Sequence, residues 1–214
     1  MGSLKSYVIP SLIATTQSAL DERFLVARKT GAKVMQLDVM DGRFVKNESL
    51  NFDFKLPAQK DITYEAHLMM YNPMPWIYKH HKKVDLIIVH YESPFFKEAV
   101  NFIRHHNKKV GVALNPKTSF EHYESLDFTF VDTILIMTVH PGKYGAKFLP
   151  KMIEKVKEAR EKYPKLHIEV DGGVSNVTIR KLSKTGANKF VVGSYLQQSK
   201  DPKKTYMKLK KLIA

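Results

Sequence analysis

Two aspartates close two short apolar runs far apart in the chain. Asp38 lies in Val34-Met35-Gln36-Leu37-Asp38-Val39-Met40-Asp41-Gly42, and Asp171 in Ile168-Glu169-Val170-Asp171-Gly172-Gly173. If both runs are strands of one parallel barrel, their carboxyl ends open onto the same mouth and both acids face one cavity. Two carboxyl groups on opposite sides of a bound carbon can take a proton from one face and return one to the other. That is the chemistry of an epimerase, and it requires a fold that brings the two acids together.

Other side chains belong to the same expected mouth. Gln36, Asp38 and Met40 alternate onto one face of their strand. A glutamine and an aspartate are poor barrel-interior residues unless something binds them. With His67, in Ala66-His67-Leu68-Met69, and Asp171 they offer oxygen and imidazole ligands without sulfur. Such a set suits a divalent ion such as Zn, Mn or Fe(II), and without a cation so many buried acids and imidazoles are costly to keep charged. Gly172-Gly173 and Gly193-Ser194 follow two neighbouring runs, where barrels bind phosphate on backbone N–H groups; tight turns are their simpler role. Met40, Met69 and Met137 are either core filling or an apolar lining at the rim. His90 and Glu92 are expected to support or pack rather than react, and Asp41-Gly42 is either a turn or part of the site.

The elements that must position these residues are visible as alternating patterns. Apolar, β-branched runs at Tyr7–Pro10, Val34–Val39, Thr63–Leu68, Leu86–His90, Lys109–Leu114, Thr133–Thr138, His167–Val170 and Lys189–Val192 read as buried parallel strands. Helical patterns occupy Ala19–Thr30, Pro94–His106, Leu149–Tyr163 and Asn176–Thr185, the last preceded by Ser175 and followed by Gly186. Arg43–Lys60 reads as loop. Eight strand candidates alternating with helices in 214 residues predict an α/β fold, a (β/α)8 TIM barrel, as one domain over residues 1–214. A doubly wound sheet is the competitor, but its glycine-rich turn after the first strand is absent from Pro10-Ser11-Leu12-Ile13-Ala14.

Composition narrows the partners. The net charge is +14, yet the lysines are spread over the polar faces of expected helices and no nucleic-acid-binding motif accompanies them. The charge therefore fits an anionic small substrate and not nucleic acid. No run approaches the roughly 18 apolar residues of a membrane span, no secretory segment is evident, and the chain has no cysteine. The expected location is the cytoplasm.

An ordered set of motifs resembles the ribulose-phosphate 3-epimerase family. It comprises Pro10-Ser11-Leu12, Leu37 to Val45, Ala66 to Met69, Asn115-Pro116-Lys117-Thr118, Met137 to Gly142, Glu169 to Val174, Gly186-Ala187-Asn188 and Val192-Gly193-Ser194. The resemblance implies a TIM barrel of ribulose-phosphate-binding type, acting on D-ribulose 5-phosphate and D-xylulose 5-phosphate and assembled as a homo-oligomer. It implies that Asp38 and Asp171 are the acid and base. It further implies one divalent metal (Zn, Mn, Fe(II) or Mg) at the positions of Gln36, Asp38, His67 and Asp171, polarising the C2 carbonyl and holding the enediolate. Ser11, His67, Met40, Met69, Met137, Gly142, Gly145, Gly172, Gly173, Gly193 and Ser194 map onto its sugar-phosphate contacts.

Two departures from the family pattern bear on the chemistry. Gln36 stands where the family has a histidine, and a neutral amide is a weaker ligand than imidazole for most transition metals. The loop after the sixth expected strand reads Pro141-Gly142-Lys143-Tyr144-Gly145-Ala146, lacking a glycine and a glutamine of the family pattern, and Lys46 replaces a proline. These changes leave two alternatives to a pentulose-phosphate epimerase: an epimerase of a hexulose or specialised sugar phosphate, or a non-catalytic sugar-phosphate-binding barrel.

Overall fold

In a computed structural model that describes residues 4–57, 62–123, 128–142 and 145–213, eight parallel strands close on themselves. They are β1 (Tyr7–Leu12), β2 (Val34–Asp41), β4 (Thr63–Met69), β5 (Leu86–His90), β6 (Lys109–Leu114), β7 (Thr133–Met137), β8 (His167–Asp171) and β9 (Lys189–Val192). Closure is made by β1, which pairs in parallel with β9 through Tyr7 and Lys189 and with β2 through Ser11 and Gln36. A two-residue strand, β3 (Glu48–Ser49), adds antiparallel to the end of β2. The fold is a TIM barrel, as the alternation of apolar runs predicts.

All eight expected parallel strands are present, with ends moved by a residue or two. β2 runs on to Asp41 and β8 to Asp171, while β7 stops at Met137. Flanking helices are α1 (Gln17–Lys29), α2 (Met74–His80), α3 (Phe96–His105), α4 (Met152–Lys162), α5 (Thr178–Leu182), α6 (Ser194–Gln197) and α7 (Pro202–Lys211). α1 starts two residues before its expected position because Thr16 Oγ1 accepts the Ala19 N–H at 3.2 Å. α4 starts later than expected, since the Leu149 N–H is still bonded to the Thr138 carbonyl at 2.8 Å. α5 gives way to a 3-10 turn over Ser183–Thr185. The sequence pattern gave no sign of α2, whose start is broken up by Pro73 and Pro75.

The core has two shells. Outward strand residues such as Leu37, Leu68, Ile87, Val112, Ile136 and Phe190 pack against Leu20, Phe24, Ile77, Ile103, Val156 and Leu209 of the helices. Inside the barrel the filling is lopsided. Leu86, Ile88, Ala113, Leu135, Met137 and Val139 make one apolar half. Gln36, Asp38, Glu65, His67, Glu169 and Lys189, all buried, make the other. At the bottom of that polar half, Lys189 Nζ lies 2.5 Å from Glu65 Oε2 and 2.7 Å from Glu169 Oε2. Burial pushes both carboxyls up, Glu169 to about 8 with further help from the Glu65 charge, while the same two acids hold Lys189 above its ordinary range. Both shifts disfavour two buried carboxylate charges side by side. No helix among the described residues is long and apolar enough to cross a membrane.

Candidate active site

The strand register sets the expected residues at one height. Asp38 is opposite His67, Met40 opposite Met69, and Met137 opposite Asp171. A carboxylate oxygen of Asp38, one of Asp171 and a ring nitrogen of His67 all lie within 4.8 Å of one another. The two acids thus meet at the carboxyl end of the barrel, as the epimerase geometry requires.

Gln36 sits under this group, fully buried. Its Nε2 donates to Asp38 Oδ1 and to Asp171 Oδ2, each at 2.8 Å, tying the two carboxylates together. Its Oε1 is buried without a hydrogen-bond partner, an arrangement that costs roughly 1–3 kcal/mol. The donor set fits a divalent cation: two carboxylate oxygens and an imidazole converge, and half a turn of the Gln36 amide would aim its unpaired oxygen at the same point. His67 Nδ1 is 3.0 Å from Asp171 Oδ2 and 3.5 Å from Asp38 Oδ1. Burial opposes charge on His67, but its hydrogen bonds and attraction to Asp171 and Asp38 prevail and lift the imidazole to about 9. Burial, reinforced by the Asp171 charge, pushes the Asp38 carboxyl above its ordinary 3.8 against the hydrogen bonds of His67 and Gln36.

The cleft above is lined by Ser11, Asp38, Met40, Met69, Met137, Gly142, Gly145, Asp171, Gly172, Gly173, Gly193 and Ser194. Every expected site residue except Gln36 and His67 is therefore on its wall, and those two are fully buried. Met40 and Met69 pack with Val45, Ile13 and Phe44 into one apolar side. Met137 and Val139 belong to the apolar half of the barrel, with Ala146 packed against it. Gly145 and Ser194 face one another across the opposite side, where a Cβ on Gly145 would come no closer than 3.9 Å to Ser194 Oγ. The loop departures Lys143 and Tyr144 lie outside the described residues; Lys46 is exposed.

The turn after β8 is held from a residue the motif reading left out of the site. Thr138 donates its backbone N–H to the Asp171 carbonyl at 2.7 Å and its hydroxyl to the Gly172 carbonyl at 2.5 Å. Gly172 has φ +106°, and a side chain there would run into Val139. Gly172→Ala is accordingly expected to cost about 1–3 kcal/mol of backbone strain and to displace Asp171. Thermal unfolding and turnover of the variant check this, and unchanged values for both would contradict it. Asp41-Gly42 is a turn: Asp41 Oδ1 accepts the Arg43 and Phe44 N–H groups, while Oδ2 takes the Tyr71 N–H at 2.7 Å. It joins the rims after β2 and β4. His90 and Glu92 sit behind His67: His90 Nδ1 is 3.2 Å from Glu92 Oε2. Burial lowers His90 to about 4, against the pull of Glu92. Burial would raise Glu92, but hydrogen bonds from His90, Thr118 and the Asn115 N–H overcome it and hold the carboxyl at about 2.

These features define a TIM barrel whose two facing aspartates and buried imidazole share one cleft at the strand ends. Residues 7–197 match the family model described as the ribulose-phosphate 3 epimerase family. The ribulose-phosphate 3-epimerase of Bacillus subtilis (strain 168) is 34% identical over 213 residues, covering 95% of this chain and 97% of that protein. That of Aquifex aeolicus is 32% identical, covering 95% of both chains. The chain belongs to the ribulose-phosphate 3-epimerase family, a family of isomerases acting on carbohydrates. Among solved structures, 3-hexulose-6-phosphate synthase from Salmonella typhimurium matches with a TM-score of 0.70 at 15% identity, over 97% of this chain and 98% of that one. At that identity the match supports the barrel fold.

Proposed function

We propose that this chain is a cation-dependent 3-epimerase of a ketose phosphate, interconverting D-ribulose 5-phosphate and D-xylulose 5-phosphate, with residues 1–214 as one catalytic domain. The observation that carries the reading is the approach of Asp38 and Asp171 to within 4.8 Å of each other and of His67 at the base of one cleft. Asp38, His67, Asp171 and the Gln36 amide oxygen would hold a divalent cation. When bound, that ion supplies Lewis-acid polarisation of the sugar's C2 oxygen.

With C3 of the sugar seated between them, one aspartate takes the C3 proton and leaves an enediolate. The other aspartate delivers a proton to the opposite face, so the configuration inverts. Met40, Met69 and Met137 form an apolar lining that keeps water from competing as a proton donor. Ser11 and the glycines of the β7, β8 and β9 turns leave room for the phosphate end and offer backbone N–H groups to it.

The cation part of this reading is tested by stripping the protein with a chelator and adding back Mn2+ or Zn2+. Epimerisation that falls at least about tenfold on stripping and returns with the ion supports it; full activity in the stripped protein contradicts it. Gln36→His is expected to tighten Zn2+ binding about tenfold or more, a gain of roughly 1.4 kcal/mol, because imidazole replaces a neutral amide in the donor set. A Kd that is unchanged or weaker in calorimetry would argue against Gln36 as a ligand.

A further inference from the structure

A line of hydrogen bonds runs away from the cleft through groups that take no part in the proton transfers above. Glu92 follows β5. Its Oε1 accepts the Asn115 N–H at 2.9 Å and the Thr118 hydroxyl at 2.5 Å, so Oε2 is left for His90 Nδ1 at 3.2 Å. On the other side of the His90 ring, Nε2 meets His67 Nε2 at 2.9 Å. The two rings lie nearly parallel, with centroids 5.0 Å apart and planes inclined by 24°, and both are fully buried. The far nitrogen of His67, Nδ1, points at Asp171 and Asp38.

Once Nδ1 of His67 is given to a cation, its remaining proton sits on Nε2, and one order of protons satisfies the whole line. A carboxylate only accepts, so the proton between Glu92 and His90 belongs to His90 Nδ1. A neutral imidazole carrying a proton on Nδ1 has a bare lone pair on Nε2. The proton between the two rings must then come from His67 Nε2. The opposite order would set the His90 Nδ1 lone pair against a carboxylate oxygen and leave the bare nitrogen of His67 facing His90, away from the acids.

We propose that Glu92 and His90 are positioning residues that act in series to fix the tautomer of His67, so that Nδ1 is the nitrogen offered to a cation between Asp38 and Asp171. The inference rests on the cation reading above. Outer hydrogen-bond partners of a metal-ligating histidine orient its ring and raise its basicity; here the partner is a second imidazole whose own proton is set by a carboxylate. The anchor is stiff. Lys155 Nζ donates to the Asn115 and Thr118 carbonyls, each at 2.6 Å, holding the segment that grips Glu92. The Phe44 ring packs on His90 at 4.8 Å between centroids.

Two measurements test it. In the metal-free wild-type protein with 15N-labelled histidine, long-range 1H–15N correlation should show His90 neutral with its proton on Nδ1, and a proton on Nε2 of His67. A proton on Nε2 of His90 overturns the proposal. In parallel, Mn2+ titrations of Glu92→Gln and His90→Gln should show binding weakened about 10–100-fold. The double variant should be within about threefold of the weaker single one, because the residues act through one path. Wild-type affinity retained in Glu92→Gln also overturns it. Absence of Mn2+ binding by the wild type would instead contradict the cation reading, and the tautomer measurement still decides the present one.

Discussion

Asp171→Asn is expected to lower interconversion of D-ribulose 5-phosphate and D-xylulose 5-phosphate by about 10³-fold or more, and Asp38→Asn to do the same. A positioned acid or base contributes roughly 10²–10⁴-fold, and in the proposed mechanism inversion needs both, since each aspartate would serve one face of the carbon. Asparagine keeps the shape of the side chain and an oxygen toward the Gln36 amide, which at present bonds both acids at 2.8 Å. The two variants should also differ from each other. Each retains the base for one face, so residual deuterium wash-in at C3 should favour opposite epimers in Asp38→Asn and Asp171→Asn. Metal content measured on the same samples separates loss of the base from loss of the ion. Either variant turning over at more than a tenth of the wild-type rate would remove that aspartate from the proton transfer.

The largest expected effect on stability lies one layer deeper. Lys189→Met removes the cation from a cluster in which Glu65 and Glu169 are at most 1% exposed. Breaking a buried ion pair by deleting one partner costs about 3–5 kcal/mol, which urea unfolding would measure. The sign of its pH dependence follows from the raised acids. Glu169 is held at about 8 against an ordinary 4.5; a carboxyl raised in the folded state contributes stability fully below its unfolded value, and that contribution is lost as pH rises through the folded one. Without Lys189 both acids must stay protonated to remain buried. The defect should therefore be largest near pH 8 and shrink toward pH 5. A variant as stable as wild type at pH 8 would mean the cluster is solvated.

The barrel was legible because its strands are continuous β-branched runs, buried on both sides, and because alternation along β2 and β4 puts Asp38 and His67 on one face. The placement of the candidate site residues at strand ends was legible for the same reason. What one sequence does not carry is partnership across the barrel. Lys189 reads as an ordinary lysine at a strand start until β9 is set beside β8 and its side chain is seen to bridge Glu65 and Glu169. Thr138 reads as the last residue of a strand until its hydroxyl is found on the Gly172 carbonyl. For Gln36 the motif put the side chain near the two acids, but the tie it makes between them depends on which end of its amide faces them. α2 was hidden by the two prolines around Met74, which signal a loop although the first turn of a helix tolerates them.

The most direct test is deuterium exchange at C3. Metal-loaded wild-type protein incubated with D-ribulose 5-phosphate in D2O should yield both pentulose phosphates with deuterium at C3, visible by NMR as loss of the C3 proton signal. No incorporation, with the sugar recovered fully protonated and unepimerised from protein shown to hold its cation, would contradict the proposal that Asp38 and Asp171 work on opposite faces of that carbon.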